Sequence, residues 1–216
     1  MKKLRKRAAA LSRRIARTQK WRQRAAKLVE WLRDHKQHRL SKAATRVTTG
    51  LGKRLKALHA DLRKVQERID KLGEQGKAGR DAYLKFLEDS VGKTEGSDWQ
   101  RQIAAEMGVP WEWPWCSTLT AYGLWKHGGF SREELPQQTP YSGAWLTWAH
   151  GSRISYAQAQ PGDLLIFDWG DGGMTDHVAT YIGGGLKIGG NENDRVERDA
   201  VPTGNIVGVV RPDWSR

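Results

Sequence analysis

The 216-residue chain contains a single cysteine, Cys116. One cysteine excludes an internal disulfide, so the fold must be stable without covalent cross-links and the thiol is free for other chemistry. The chain also lacks any run approaching the ~20 apolar residues that span a bilayer. Its basic start is followed by a short apolar run at 8–11, but Ser12 and two arginines end that run. No secretory signal is therefore predicted.

The first 80 residues have few aromatic and few acidic side chains. They hold two of the 11 tryptophans, Trp21 and Trp31, and their 26 Lys/Arg against 6 Asp/Glu give a net charge of +20. Residues 81–216 hold 11 Lys/Arg and 18 Asp/Glu, a net charge of −7. This opposition indicates two modules with different partners. Only the second module has enough bulky apolar residues for a compact core.

A heptad pattern marks the first module. Aliphatic residues recur at alternating steps of four and three, at Leu51, Leu55, Leu58, Leu62, Val65, Ile69 and Leu72. Such a narrow stripe needs a partner helix, and residues 4–32 carry a weaker helical stripe. With a break at Thr48-Thr49-Gly50, the pattern favours an antiparallel hairpin of roughly 2–40 and 43–74. An intermolecular coiled coil remains the alternative.

The domain limits follow from the change in composition. Residues 1–76 are predicted to form the basic helical hairpin or coiled-coil arm, and the glycine-containing segment 77–80 a flexible linker. Residues 81–216 are predicted to form an α+β domain, with helices first and short strands after Pro161-Gly162. The predicted helices cover 81–91, 98–107 and a run from Cys116, and the predicted strands cover 163–169, 177–182, 186–188 and 206–211.

Cys116 follows a proline and a tryptophan and opens a helix-like run. A free cysteine is most often a small buried hydrophobe. However, the N-terminus of a helix stabilises a thiolate through its dipole and its unpaired N–H groups, and the same groups can hold an oxyanion. Cys116 is therefore a candidate nucleophile.

His177 begins a strand-like run about sixty residues later, where it could face the start of the Cys116 helix. It is the candidate base, with His150 as the fallback. Asn191, in a glycine-bounded cluster, is the proposed orienting residue, because an amide oxygen can accept the proton on the far imidazole nitrogen. Glu192 is the alternative orienter. Neighbouring strand residues point to opposite faces, so only one of the two can face His177.

These pieces together resemble a known family. Pro114-Trp115-Cys116, Ala144-Trp145-Leu146, the run 161–167, Asp176-His177-Val178 and Gly189-Gly190-Asn191 occur in the order and spacing of the CHAP family of cysteine- and histidine-dependent amidohydrolases and peptidases. That family is close to the NlpC-type papain-like hydrolases. The resemblance covers most of residues 81–213. It implies a papain-like fold with Cys116 as nucleophile, His177 as base and Asn191 as the polar third member.

The resemblance also implies the reaction and its substrates. Family substrates are peptidoglycan stem peptides and cross-bridges, and the implied reaction is amide hydrolysis through a thioester. Many relatives carry a glutamate two residues before the asparagine, where this chain has Gly189. Trp115, Trp145 and Trp148 are candidate substrate-binding residues that could line a groove. No cofactor and no metal are predicted, because the loop acids at 168, 171 and 176 do not have the spacing of a calcium-binding loop.

The basic arm, residues 1–76, predicts an anionic partner, because like charges along a helix destabilise it unless a partner relieves them. An anionic envelope polymer or membrane surface is preferred over nucleic acid, and self-association through the coiled coil is a further option. The function expected is a phage lysin or virion-associated lysin, made in the host cytoplasm and acting on the wall after holin release or virion delivery. The alternatives are a catalytically inert phage structural protein and a protein that binds anionic polymers or nucleic acid.

Overall fold

The computed structural model describes residues 1–137, 139–170 and 175–215. The chain folds as two compact units, Met1–Glu74 and Gln75–Arg216. Within the described residues, no helix combines the length and the apolar character required to cross a membrane.

The first unit is an antiparallel pair of helices. Helix α1 spans Lys2–Asp34 and helix α2 begins at His38. The predicted heptad stripe is the buried face of α2, and it packs against the weaker stripe of α1 in a cluster formed by Leu11, Ile15, Leu55, Leu58 and Val65. A smaller cluster of Val29, Leu32 and Ala44 lies next to the turn.

The turn between these helices lies at residues 35–37, where Lys36 has a φ of 57°. The predicted break at Thr48-Thr49-Gly50 is wrong, because these residues are inside α2. The Thr48 hydroxyl donates to the carbonyl oxygen of Ala44, and in the part of the chain that the structure describes a Cβ on Gly50 would meet no atom within 4 Å. A hydroxyl bonded to the preceding turn and a solvent-facing glycine are both tolerated within a long helix.

Residues 77–80 are helical, so they do not form the flexible linker that was predicted. Helix α2 continues to Ser90 and includes the expected helix at 81–91. The glycines have a packing role: a Cβ on Gly76 would lie 1.8 Å from the carbonyl oxygen of Trp214, and one on Gly79 would lie 2.7 Å from that of Gly128. They let the helix approach two backbone segments of the second unit closely, so glycine here reports packing and not flexibility.

The second unit contains one antiparallel sheet of six strands in the order β1-β6-β2-β3-β4-β5. The strands are β1 Gly151–Ile154, β2 Leu164–Phe167, β3 His177–Gly183, β4 Leu186–Glu192, β5 Arg195–Ala200 and β6 Ile206–Pro212. Helices α3, Asp98–Met107, and α4, Cys116–Lys126, precede the sheet in sequence. The expected α+β class is confirmed.

Helix α4 packs against the sheet and is itself covered by the end of α2. Leu119 and Leu124 of α4 share the main core with Val178 and Ile188 of the sheet. Tyr83 of α2 is fully buried, and its hydroxyl lies 2.6 Å from that of Thr180 on β3. Burial raises the pKa of Tyr83, despite the hydrogen bonds that its hydroxyl makes, so it stays a neutral phenol between helix and sheet.

Gly123 is a position where α4 packs tightly against side chains of α2. An added Cβ would lie 2.7 Å from the Tyr83 ring and 2.9 Å from the Phe86 ring. We expect Gly123→Ala to lower the free energy of unfolding by about 1–3 kcal/mol, because the aromatic rings must move. The measurement is chemical denaturation followed by circular dichroism.

Gly73→Ala is the matched control for this substitution. Gly73 also lies inside a helix, and an added Cβ there would meet no atom of the described residues within 4 Å. Alanine at such a site stabilises a helix by up to about 1 kcal/mol relative to glycine. The two substitutions should therefore change stability in opposite directions, and a stabilising effect at both positions would contradict the close packing at Gly123.

Candidate active site

The sulfur of Cys116 lies at the first residue of helix α4. The first hydrogen bond of this helix runs from the Leu119 N–H to the Trp115 carbonyl oxygen at 2.9 Å. The N–H groups of residues 116–118 therefore precede the intrahelical ladder, which gives this end of the helix a partial positive charge. Cys116 is buried, with 2% of its surface exposed, so the thiol sits in an environment of low dielectric constant.

His177, the first residue of β3, lies beside that thiol. Its imidazole is buried and interacts with two side chains, Cys116 and Glu192. The Nε2 atom lies 2.9 Å from Oε1 of Glu192. Because Nε2 is engaged by the carboxylate, Nδ1 is the ring nitrogen left for the thiol. Thiol, imidazole and carboxylate therefore form a continuous chain, the arrangement in which a base is held by an orienting group.

The charge state of His177 follows from these contacts. Burial alone would lower the pKa of the imidazole, but hydrogen bonds to Cys116 and Glu192 and the charges of both outweigh it and raise the pKa to about 9. Burial would raise the pKa of Glu192, yet its hydrogen bonds to His177 and Lys187 keep that pKa below the ordinary value. At neutral pH the pair is therefore an imidazolium and a carboxylate.

The structure places Glu192, and not Asn191, on the imidazole, so the choice of orienting residue is corrected. Strand β4 has a bulge here: Gly189 pairs with Glu197 and Glu192 pairs with Arg195, so two residues on β4 lie opposite one on β5. Asn191 sits in this bulge with a φ of 61°. An extra residue moves the following side chain to the face that its predecessor would have occupied. Within the described residues the Asn191 side chain has no hydrogen bond to His177.

Gly189 gives the carboxylate its place. A Cβ at residue 189 would lie 2.2 Å from Oε1 of Glu192 and 2.9 Å from Nε2 of His177. Oε1 of Glu192 thus occupies the space that a side chain on residue 189 would need. The position where the family resemblance implied a glutamate is empty of side chain, and a glutamate three residues later fills it from the other side of the bulge.

Glu192 also belongs to a cluster of carboxylates with Glu197 and Asp199 of β5. One oxygen of each lies within 4.8 Å of the others, a spacing that could hold a metal ion. The ammonium of Lys187 makes an ion pair with Glu192 and its charge acts on Asp199. This lysine already supplies positive charge to the cluster.

The three tryptophans predicted to bind substrate are core residues, and that expectation is corrected. Trp115, Trp145 and Trp148 expose 2%, 0% and 6% of their surface. The indole N–H of Trp115 donates to Glu95 and that of Trp145 to the Ser117 hydroxyl. Large aromatic side chains whose N–H groups find internal partners are typical of a core. The fallback base, His150, lies beside Glu134, with 3.9 Å between Nδ1 and Oε1.

Trp169 is an aromatic residue beside His177 that was not predicted from the sequence. Half of its surface is exposed, and its ring centroid lies 5.8 Å from that of His177. Its backbone N–H donates to a carboxylate oxygen of Asp176, the residue before His177. Asp171, one of the three loop acids considered for calcium, lies outside the described residues. The usable signal for Trp169 was its position, two residues after the apolar run of β2.

Comparison with known proteins points to one family. Residues 110–207 match the model of the NlpC/P60 family. The matched segment begins just before Cys116 and includes His177, Asn191 and Glu192. It lies wholly within the second unit.

Curated relatives are similar over a shorter stretch. The probable endopeptidase p60 of Listeria welshimeri is 42% identical over 78 residues, which is 36% of this chain and 13% of that protein. The p60 protein of Listeria monocytogenes is 41% identical over 78 residues, 36% of this chain and 14% of that protein. The chain thus spans about one seventh of the length of these relatives.

Solved structures with the same family name are also similar. The NlpC/p60 domain of the peptidoglycan hydrolase SagA is 25% identical, with 61% of this chain and 97% of that chain covered and a TM-score of 0.42. An NlpC/P60 family protein from Bacillus cereus is 27% identical, with 45% and 31% covered and a TM-score of 0.36. The match to the family model confirms the expected resemblance to papain-like cysteine hydrolases and assigns it to NlpC/P60, the family named in the sequence analysis as close to CHAP: residues 110–207 of this chain match that papain-like cysteine peptidase family.

Proposed function

We propose that the second unit is a cysteine-dependent peptidoglycan hydrolase that cleaves amide bonds of stem peptides or cross-bridges. The observation that carries the proposal is the chain of contacts from Cys116 through His177 to Glu192 at the start of α4. The NlpC/P60 match supports it, as do a relative named a probable endopeptidase and a similar structure named a peptidoglycan hydrolase.

The proposed reaction has two steps. The Cys116 thiolate attacks the amide carbonyl carbon, a C–S bond forms, and the C–N bond breaks as the amine leaves with a proton from the His177 imidazolium. A water molecule then attacks the thioester while His177 takes its proton, the C–O bond forms, and the C–S bond breaks to release the carboxylate and the thiolate. The free N–H of Cys116 supplies one donor to the oxyanion in each step.

Purified peptidoglycan tests the proposal directly. The wild-type chain is incubated with purified sacculi, turbidity is followed, and the soluble products are analysed by mass spectrometry. A fragment with a new amine and a new carboxylate identifies the bond, and its position distinguishes an N-acetylmuramoyl amidase from an endopeptidase. Intact sacculi after prolonged incubation, over pH 5 to 9 and with a p60-type hydrolase active on the same preparation, would refute the proposal.

We further propose that the basic helical unit holds the enzyme on an anionic envelope polymer or membrane surface. The first 80 residues carry a net charge of +20. Trp21, Leu28 and Trp31 of α1 are each exposed by half or more, so the cationic surface also offers apolar contacts. Nucleic acid has the same charge and is the competing ligand. Delivery by a holin or in a virion stays a prediction.

Binding to the envelope should depend steeply on salt. Raising NaCl from 0.1 M to 1 M shortens the screening length from about 10 Å to about 3 Å, so we expect sedimentation of the chain with sacculi to fall about tenfold or more. A triple substitution to glutamine on the exposed face of α1 should have the same effect at 0.1 M salt: Arg13, Arg14 and Arg17.

The matched control removes three exposed basic residues of the second unit: Lys85, Lys93 and Arg198. It should leave sedimentation unchanged. Equal loss in both triple variants would show that net charge alone, and not the helical unit, determines binding. Tighter binding to double-stranded DNA than to sacculi at the same salt would favour nucleic acid as the partner.

A further inference from the structure

A buried lysine lies behind the orienting carboxylate. Lys187, on β4, has 5% of its surface exposed, and its ammonium makes an ion pair with Oε2 of Glu192. The other carboxylate oxygen, Oε1, lies 2.9 Å from Nε2 of His177. Glu192 therefore bridges the lysine and the imidazole with one oxygen each. Lysine is rarely buried without a charged partner, because desolvation of an unpaired ammonium is costly.

The strands fix the position of this ammonium. The Cα partner of Lys187 is Tyr181 on β3 and Asp199 on β5. Since side chains alternate along β4, Lys187 shares a face with Gly189, the position whose missing side chain Glu192 replaces. The titratable groups that face Glu192 are His177 from β3, Lys187 from β4, and Glu197 and Asp199 from β5.

Charges alternate in sign along this line when the site is in its ion-pair form. The thiolate of Cys116 is followed by the His177 imidazolium, the Glu192 carboxylate and the Lys187 ammonium. Each charge has an opposite neighbour, so the low dielectric of the buried site strengthens every contact in the series. Without the ammonium, the carboxylate would keep one charged partner only and would be free to turn away from the imidazole.

We propose that Lys187 is a positioning residue for the hydrolysis. It holds Glu192 ionised and oriented on His177, and so it acts on Cys116 through Glu192 and His177. This inference rests on the proposed function for its purpose. Its physical content, the coupling of Lys187 to the reactivity of the thiol, is independent of which substrate is cleaved.

The experiment measures the alkylation rate of Cys116 by iodoacetamide against pH, in the full chain. Cys116 is the only cysteine, so incorporation reports this thiol alone, and only the thiolate reacts. In Lys187→Met the pKa of Glu192 should rise, since the ammonium that lowers it is gone. We expect the acid limb of the alkylation profile to move to higher pH, because a protonated Glu192 no longer stabilises the imidazolium that favours the thiolate.

Three comparisons make this specific. Lys187→Arg retains the charge and should keep the wild-type limb. Lys85→Met removes a lysine from the exposed ion pair with Asp89 and should change nothing. Glu192→Gln/Lys187→Met should match Glu192→Gln alone, because Lys187 acts through the carboxylate. This double variant leaves no unpaired buried charge, so it remains informative if Lys187→Met alone does not fold.

An unshifted limb in folded Lys187→Met would overturn the inference, as would a further shift when Lys187→Met is added to Glu192→Gln. A merely structural lysine would lower the folded fraction without moving the limb. The outcome does not depend on wall hydrolysis: a chain that fails to degrade sacculi but shows the shifted limb disproves the enzymatic proposal and keeps the coupling. If the wild-type chain degrades sacculi but Lys187→Met shows no shift of the acid limb, the enzymatic proposal is kept and the coupling is disproved.

Discussion

Cys116→Ala is expected to abolish hydrolysis of peptidoglycan, with a rate at least about 10⁴-fold below wild type. No other cysteine exists in the chain to take over nucleophilic attack, and without the sulfur no thioester can form. The substitution removes one atom from a small buried side chain at the end of a helix, so the fold should persist. Release of soluble fragments from purified sacculi measures the loss, and sedimentation with the same sacculi should be unchanged.

A catalytic sulfur must be reachable by substrate, yet only 2% of the surface of Cys116 is exposed. Iodoacetamide should nevertheless label the native protein, and labelled protein should be inactive. Ser117→Ala is the matched control: the neighbouring hydroxyl accepts from the Trp145 indole and should affect stability but not labelling. Native protein that resists labelling while unfolded protein reacts would contradict a catalytic thiol. Equal hydrolysis by wild type and Cys116→Ala would do so independently.

The positions of Cys116 at a helix start and of His177 at a strand start could be predicted from the sequence, because each is set by one local feature. Cys116 follows Pro114 and Trp115 and begins a helix that ends near a glycine pair, and His177 begins an apolar strand. Helix starts and strand starts are recognisable from a few neighbouring residues. Their meeting in space depends on the packing of α4 against β3, where Leu119 and Val178 share the core.

The choice between Asn191 and Glu192 could not be made from the sequence, because a bulge decides it. A regular strand lets only one of residues 191 and 192 face His177, and the family resemblance implied that this residue is Asn191. The extra residue in β4 brings Glu192 to that face instead. Polar residues and glycines surround the bulge. Without an alternating apolar pattern, the sequence does not reveal where the strand shifts its register.

Two interpretations of composition were also overturned by tertiary packing. The glycines near residue 76 were interpreted as flexible, but they allow α2 to approach the backbone at Trp214 and Gly128. Tryptophans around Cys116 were interpreted as a groove, but Trp145 and its neighbours form the core. Strand β5, with the sequence RVERDA, was missed because it contains no apolar run. In each case the missing information was the neighbouring element.

Glu192→Gln is the second large effect we expect, a loss of roughly 100-fold in kcat/KM for soluble wall fragments. Glutamine keeps the shape of the side chain and removes its charge. Because the hydrogen bond and the charge of Glu192 both raise the pKa of His177, that pKa should fall below its value of about 9. The imidazolium that protonates the leaving amine would then be lost at lower pH, so the alkaline limb of the pH–rate profile should move down from about pH 9. A profile measured from pH 5 to 10 provides both quantities.

Asn191→Gly is the control that separates the two candidate orienters. Asn191 has a φ of 61°, a conformation that glycine adopts without strain, so this substitution removes the amide while leaving the bulge intact. If Glu192 orients the imidazole, Asn191→Gly should retain nearly wild-type kcat/KM and the same alkaline limb. A large loss in Asn191→Gly together with a mild effect of Glu192→Gln would restore the asparagine as the third member. The orienting residue is therefore the one whose substitution moves the titration of His177. A change in stability alone would lower activity equally at every pH.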